Sequence, residues 1–439
     1  MEIRREKLLE LLKRKKDNGR VKIITGIRRC GKSYLLLELY RRHLLESGIG
    51  EDQIIRIELD DGLNIRYRNP IELNTFVRER ITDKEKRYYA FIDEIQFCAE
   101  IRNPYVDDPD AKVTFIDTVM SLMKIPNLDV YVTGSNSRML SKDVLTQFRD
   151  RGDEIHVSPL SFREVHDAYK ENGLDPNDAW RDYFTFGGMP YVLSLESAEE
   201  KSRYLKDLFA ETYIKDVLER NGIRNDGEIL GTLLDFVSSS VGSLTNPYKI
   251  ANRFKSERDV DISHVTIARY LEMFMEAYVL DGAKRYDIKG AHYFDFPMKY
   301  YFSDVGLRNA RLNFRQVEEN HIMENIVFNE LVRRGFNVDV GVVQYSRRER
   351  DPEGNEVKTR IQLEVDFVVN RINSRFYLQV ALGTDDKGKR EQETESLNRI
   401  KDSFRKIIIV KDNIVPWSDE KGILTVGIRD FLLDEKYLA

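Results

Sequence analysis

Val21-Lys22-Ile23-Ile24-Thr25-Gly26-Ile27-Arg28-Arg29-Cys30-Gly31-Lys32-Ser33 is an apolar run that breaks into a loop with two glycines and ends in Lys-Ser, and Tyr34-Leu35-Leu36-Leu37-Glu38-Leu39 follows with the composition of a helix. The spacing G-x-x-x-x-G-K-S between a strand and a helix is that of a phosphate-binding loop. Gly26 and Gly31 permit backbone angles barred to other residues. Successive N–H groups can then converge on a phosphate, with the positive end of the following helix behind them. Lys32 adds a point charge, and the Ser33 hydroxyl suits Mg²⁺. The nucleotide contacts are therefore expected from Gly26, Ile27, Arg28, Arg29, Cys30, Gly31, Lys32, Ser33 and Tyr34.

The bulk numbers set limits around this loop. A chain of 439 residues, 41% hydrophobic, is too long for one ordinary domain and can bury real cores. Its 70 basic and 75 acidic residues leave a net charge of −5, so a nucleic-acid surface would have to be local. Two cysteines, Cys30 and Cys98, cannot form a disulfide framework, which points to a reducing, cytoplasmic setting. The structural reading of both is as small residues that flank nucleotide motifs. The N-terminus is charged throughout, without a signal-peptide core, and no stretch approaches the roughly 18 uninterrupted apolar residues of a membrane span.

Working outward, residues 3–16 carry leucines at mostly helical spacing among Lys and Arg, as in a docking amphipathic helix. A second strand is expected at Ile54–Leu59 and a helix over 70–81, opened by Pro70. Tyr88-Tyr89-Ala90-Phe91-Ile92-Asp93-Glu94 is an apolar strand ending in two carboxylates. Asp93 is the candidate Mg²⁺ ligand, and Glu94 the candidate base for an attacking water. Leu128–Thr133 is a further strand, running into Gly134-Ser135-Asn136. A polar residue at that carboxyl end would sit beside the terminal phosphate, so Asn136, then Ser135, is the expected sensor. Arg149 and Arg151 are candidate arginine fingers, set against an ordinary solvated reading. A last strand at 154–157 and a Ser161–Glu164 capping box close a doubly wound α/β module with five parallel strands.

Ile24-Thr25-Gly26-Ile27-Arg28-Arg29-Cys30-Gly31-Lys32-Ser33, Phe91-Ile92-Asp93-Glu94-Ile95-Gln96, Val132-Thr133-Gly134-Ser135-Asn136-Ser137 and Ser158-Pro159-Leu160-Ser161-Phe162-Arg163-Glu164-Val165 together resemble the AAA-superfamily ATPases that carry a C-terminal domain of unknown function. Phe186-Gly187-Gly188-Met189-Pro190 and Glu364-Val365-Asp366-Phe367-Val368 extend the likeness over nearly the whole chain. The resemblance implies an ATP-hydrolysing P-loop NTPase module, then a winged helix, then a mixed α/β domain similar to restriction-endonuclease folds. The corresponding segments are 1–160, a helical connector at 161–225, 226–300 and 301–439.

The residues fit that plan. Helices at about 228–240, 246–256 and 263–277, then apolar runs at 279–286 and 293–296, match three helices and a two-stranded wing. If DNA is bound there, Ser263 caps the recognition helix, whose exposed candidates are His264, Thr266, Arg269 and Tyr270. Lys249, Arg253, Lys255, Arg258, Lys284 and Arg285 would contact phosphates. A lid or protein-docking use of this module is the favoured expectation, because Glu257, Asp259, Asp261 and Glu272 dilute the basic face.

In the last segment a helix is expected at 323–334, strands at 337–345, 360–369 and 376–382, a helix near 390–402 and a strand at 406–410. Restriction-type nucleases need acids for Mg²⁺ and a lysine one residue beyond an acid or amide on the adjacent strand. Glu324, Asp366 and Gln379 stand in the first places, but Ala381 stands where the lysine should be. Losing such electrostatic help costs on the order of several kcal/mol in the transition state. A non-catalytic domain is therefore expected, with Lys387 or Lys389 as the only nearby substitutes. The reading as a whole is an ATPase with Mg²⁺, its nucleotide state relayed to DNA- or protein-binding output domains. ATP is favoured over GTP because no guanine-reading N-K-x-D sequence is present.

Overall fold

Strands buried on both faces read as continuous apolar runs, and the three inner strands of the first sheet are such strands. A computed structural model describes residues 3–134, 151–223, 226–315, 318–350, 356–383 and 394–438. The chain forms two compact units, one of Met1–Pro159 with Glu276–Tyr278, the other of Leu160–Met275 with Val279–Ala439.

In the first unit, β1 (Val21–Thr25), β2 (Ile54–Glu58), β3 (Tyr88–Asp93), β4 (Leu128–Thr133) and β5 (Gly152–His156) make a five-stranded sheet in the order β2-β3-β4-β1-β5. All pairs are parallel. Every residue of β1, β3 and β4 is buried. Two of the charges within those runs pair with one another: Lys22 Nζ lies 2.5 Å from Asp129 Oδ1, and the Tyr131 hydroxyl donates to the same carboxylate at 2.8 Å. Helices α1 (Glu6–Lys15), α2 (π-wound over Tyr34–Tyr40, then α-helical over Arg41–Glu46), α3 (Pro70–Glu79) and α4 (Phe115–Leu122) belong to this unit. Because β1 lies between β4 and β5 while the chain runs from β1 to the far edge at β2, the topological switch falls at the carboxyl end of β1.

The second unit joins helices to an eight-stranded mixed sheet. Helices α5 (Phe162–Glu171), α6 (Pro176–Phe186) and α7 (Ala198–Asp207) come first. They are followed by α8 (Gly227–Ser239), α9 (Pro247–Arg258) and α10 (His264–Glu276). The capping box at Ser161 and Glu164 is present. The hairpin of β6 (Leu280–Asp287) and β7 (His292–Phe302) is followed by α11 (Val305–Arg311) and α12 (Glu319–Arg333). Then come β8 (Asn337–Arg350), β9 (Glu356–Arg371), β10 (Ser374–Ala381), β11 (Arg405–Val410), β12 (Trp417–Ser418), β13 (Leu424–Gly427) and α13 (Ile428–Leu433).

The sheet order is β12-β13-β11-β10-β9-β8-β6-β7. This order bears on the boundary expected at 300. Residue 300 falls inside β7, and β6 pairs in parallel with β8 through Arg285, Tyr286 and Asp287, so the expected wing and the last segment share one sheet. Of the helix expected near 390–402, residues 394–398 are helical, and Lys387 and Lys389 lie outside the described residues.

Candidate nucleotide site

The loop after β1 has the backbone its glycines were expected to permit. Gly26 has φ 138°, and a Cβ there would lie 2.1 Å from the Val157 carbonyl oxygen, so no other residue fits without moving backbone. Arg29 and Gly31 also take positive φ, at 69° and 98°. The Leu35 amide donates to the Gly31 carbonyl at 2.9 Å, which starts the helical winding directly after the loop. Lys32 is buried, its ammonium donating to the carbonyls of Gly26 at 3.1 Å and Ile27 at 3.2 Å. Ile27 and Cys30 are buried beneath the loop, while Arg29 and Tyr34 are exposed. Burial pushes the Cys30 thiol up, and that of Cys98 up to about 12, so neither forms a thiolate near neutral pH.

Across from the loop, β3 delivers the two carboxylates. Asp93 is 3% exposed, and burial pushes its carboxyl above the usual range while hydrogen bonds from Thr133 and Ser33 pull it back. Ser33 and Asp93 thus meet as a hydroxyl–carboxylate pair. Two hard oxygen donors suit Mg²⁺, which keeps several waters and takes few protein ligands. Glu94 sits in the left-handed region with φ 50°. Its amide donates to Thr133 Oγ1 at 3.0 Å, and the Gln96 side chain donates to its carboxylate. The Thr133 hydroxyl in turn donates to Asp93 Oδ1.

Thr133, the last residue of β4, therefore ties the Asp93 carboxylate to the backbone of Glu94. The expected sensors Asn136 and Ser135 lie outside the described residues, together with Arg149. Arg151 is exposed. A threonine ending a β-branched strand carries no mark of this use, but its place at a carboxyl end beside the loop strand does.

In the second unit, Ser263 caps α10 as expected, accepting from the Thr266 amide at 3.1 Å. His264 and Arg269 are exposed. Tyr270 is not: it is buried, with its hydroxyl bonded to Asp226, which corrects its place among the exposed candidates. Arg285 is bonded to Gln362 at 3.2 Å and packs over the Phe294 ring. Glu324, Asp366 and Gln379 come together, with Lys299 between the two acids.

Residues 18–166 match the family model of an AAA domain, and residues 177–318 that of a domain of unknown function (DUF8612). An uncharacterized protein of Haemophilus influenzae is 30% identical over 434 residues, covering 98% of each chain. The chain belongs to that protein's family. An uncharacterized protein of Methanocaldococcus jannaschii is 27% identical, over 95% of this chain and 85% of that one. Among solved structures, the Aeropyrum pernix ORC2 protein in ADPNP–ADP complexes aligns at TM-score 0.38 and 10% identity, covering 73% of this chain and 93% of its own. AMPPCP-bound DnaA from Aquifex aeolicus aligns at TM-score 0.32 and 14% identity, with 62% and 86% covered. By the family-model match, residues 18–166 of this family member form an AAA domain. None of its described helices is long and apolar enough to cross a membrane.

Proposed function

We propose that the AAA module binds ATP and hydrolyses it, and that the second unit reads out the nucleotide state. The observation that carries the reading is the hydrogen-bonded run Ser33–Asp93–Thr133–Glu94 beside a glycine loop at the switch point of the sheet. In this reading the amides of Ile27 through Ser33 and the Lys32 ammonium cradle the phosphates. Mg²⁺, held by Ser33 and Asp93, would supply charge neutralisation at the phosphate oxygens. Glu94 takes the proton of the attacking water, its backbone fixed by Thr133 and its carboxylate by Gln96.

Glu94→Gln keeps the shape and removes the base, so it should bind ATP as the native chain does while turnover drops roughly 10²–10⁴-fold. Equal turnover in the two proteins would remove Glu94 from this office. Lys32→Ala should lose ATP binding itself, which calorimetry measures directly.

A second reading concerns α8, α9 and α10 with the β6–β7 hairpin as a winged helix. The exposed His264, Arg269, Lys249, Lys255, Arg258 and Lys284 favour phosphate contacts on one duplex. It requires ATP turnover to rise with duplex DNA at low salt and to lose that rise steeply as salt increases. Flat rates would leave the module as a protein-docking element.

A further inference from the structure

Sequence spacing denied the last segment its lysine, since Ala381 belongs to an apolar cluster with Val343, Val365, Tyr377 and Leu397. The fold brings a lysine from elsewhere. Lys299, on β7, reaches between α12 and β9, its Nζ 2.8 Å from Glu324 Oε1, 2.7 Å from Glu364 Oε1 and 3.5 Å from Asp366 Oδ1. Its side chain is 3% exposed, those of Glu324 and Asp366 are 5% and 10% exposed, and only Glu364, at 36%, reaches the rim.

The rest of the cluster is closed around this ammonium. The Tyr301 hydroxyl donates to Glu324 Oε1 at 2.6 Å, and the Val380 amide to Asp366 Oδ2 at 2.8 Å. Gln379 accepts from the Asp366 amide at 3.3 Å, and Glu324 Oε2 lies where a Cβ on Gly242 would be 3.0 Å away. An ammonium has three N–H donors, and here three carboxylates receive them. Burial alone would lower the Lys299 pKa, but Glu324, Asp366 and Glu364 outweigh it and hold the charge on.

We propose that Lys299 is the resident cation of this site: its ammonium stands where a divalent ion would bind, so the native chain takes up no metal there. Removing it uncovers a hard-cation site made of Glu324, Glu364 and Asp366. Buried carboxylates need a cation or a proton, and oxygen-only donors suit Mg²⁺, Mn²⁺ or Ca²⁺. Three acids against one ammonium also leave the site negative, which opposes entry of a phosphodiester. The proposal therefore expects no metal-dependent cleavage of nucleic acid by the native chain. This inference does not depend on ATP being hydrolysed in the first unit.

The test uses the full chain without nucleotide and Mn²⁺ as the probe, with free Mn²⁺ counted by electron paramagnetic resonance. Lys299→Ala should bind one more Mn²⁺ per chain than the native protein, and Lys299→Ala/Asp366→Asn should lose that ion again. Millimolar Ca²⁺ should raise the unfolding temperature of the single variant and leave the native chain unmoved. If Lys299→Ala does not fold, Lys299→Gln, which keeps an N–H donor toward Glu324, is measured in its place. An ion bound by the native protein and lost in Asp366→Asn would overturn the proposal. So would Mn²⁺-dependent plasmid cleavage lost in that variant, or no gain of Mn²⁺ in either Lys299 variant.

Discussion

Thr133 shows how much one hydroxyl can govern. It donates to Asp93 Oδ1 and accepts the Glu94 amide, so it fixes both the carboxylate suited to the metal and the backbone of the candidate base. Thr133→Val keeps the volume and removes the bridge. A hydrogen bond to a charged group contributes about 1.5–3 kcal/mol, so ATP turnover should fall roughly 10–100-fold. The pH dependence follows from Asp93. Burial already raises its carboxyl, and Thr133 opposes that, so in the variant the proton is held to higher pH. This shift belongs to the metal-free site, so titration of the apo chain, in which Thr133→Val should hold the Asp93 proton to higher pH than the native protein, tests it. Gly26, Lys32, Ser33, Asp93 and Glu94 could be named from the sequence as candidates, the first three by the spacing of the loop motif and the two acids by their place at the end of an apolar strand. Thr133 and Lys299 could not, since an ordinary strand residue and a lysine two elements away gain their meaning only from partners distant in the chain.

At the scale of elements, the Phe186-Gly187-Gly188-Met189-Pro190 turn finds its explanation in packing. The buried Asp304 caps α11 by accepting the Leu307 amide at 3.2 Å, and it also accepts the Gly188 amide at 2.6 Å. A Cβ on Gly187 would lie 2.1 Å from Asp304 Oδ1, and one on Gly188 2.2 Å from the Leu160 carbonyl oxygen, so two glycines let α6 turn against α11. Asp304→Ala leaves buried amides unpaired and should cost about 1–3 kcal/mol in denaturant unfolding. Burial, opposed by these amides and by Arg333, raises the Asp304 carboxyl to about 6 from an ordinary 3.8. A raised carboxylate binds its proton more tightly when folded. Its contribution is therefore full below the ordinary value and lost as pH climbs through about 6, a loss of about 3 kcal/mol. Asp304→Asn cannot titrate and should flatten that part of the stability–pH curve. An unchanged slope would show that the titration belongs to other groups.

For the whole molecule, the doubly wound sheet was legible because continuous apolar runs, helical spacing and a loop motif agree on one answer. The division of the second half was not. Pairing of β6 with β8 spans Arg285–Asp287 and Val340–Val342, a contact between strands separated in the chain by β7 and two helices, and no local pattern announces it. The β6–β7 hairpin and the last segment consequently share one sheet and one compact unit, and a cut at residue 300 would sever β7. Two units with one nucleotide site make a measurable distinction. A ligand that binds only the native first unit stabilises it by about 2.7 kcal/mol at a hundredfold excess over Kd. For a unit of this size that is roughly 5–10 °C in its unfolding midpoint. Hydrogen exchange with Mg·ATP should show the same stabilisation as protection across Ile27–Leu35 and around Thr133, and Lys32→Ala should abolish it. If the second unit reads the nucleotide, its amides must also differ between ATP and ADP, because a ligand shifts an equilibrium only through unequal affinity for two states. Protection confined to the first unit, equal for both nucleotides, would keep the ATP site and eliminate the switch.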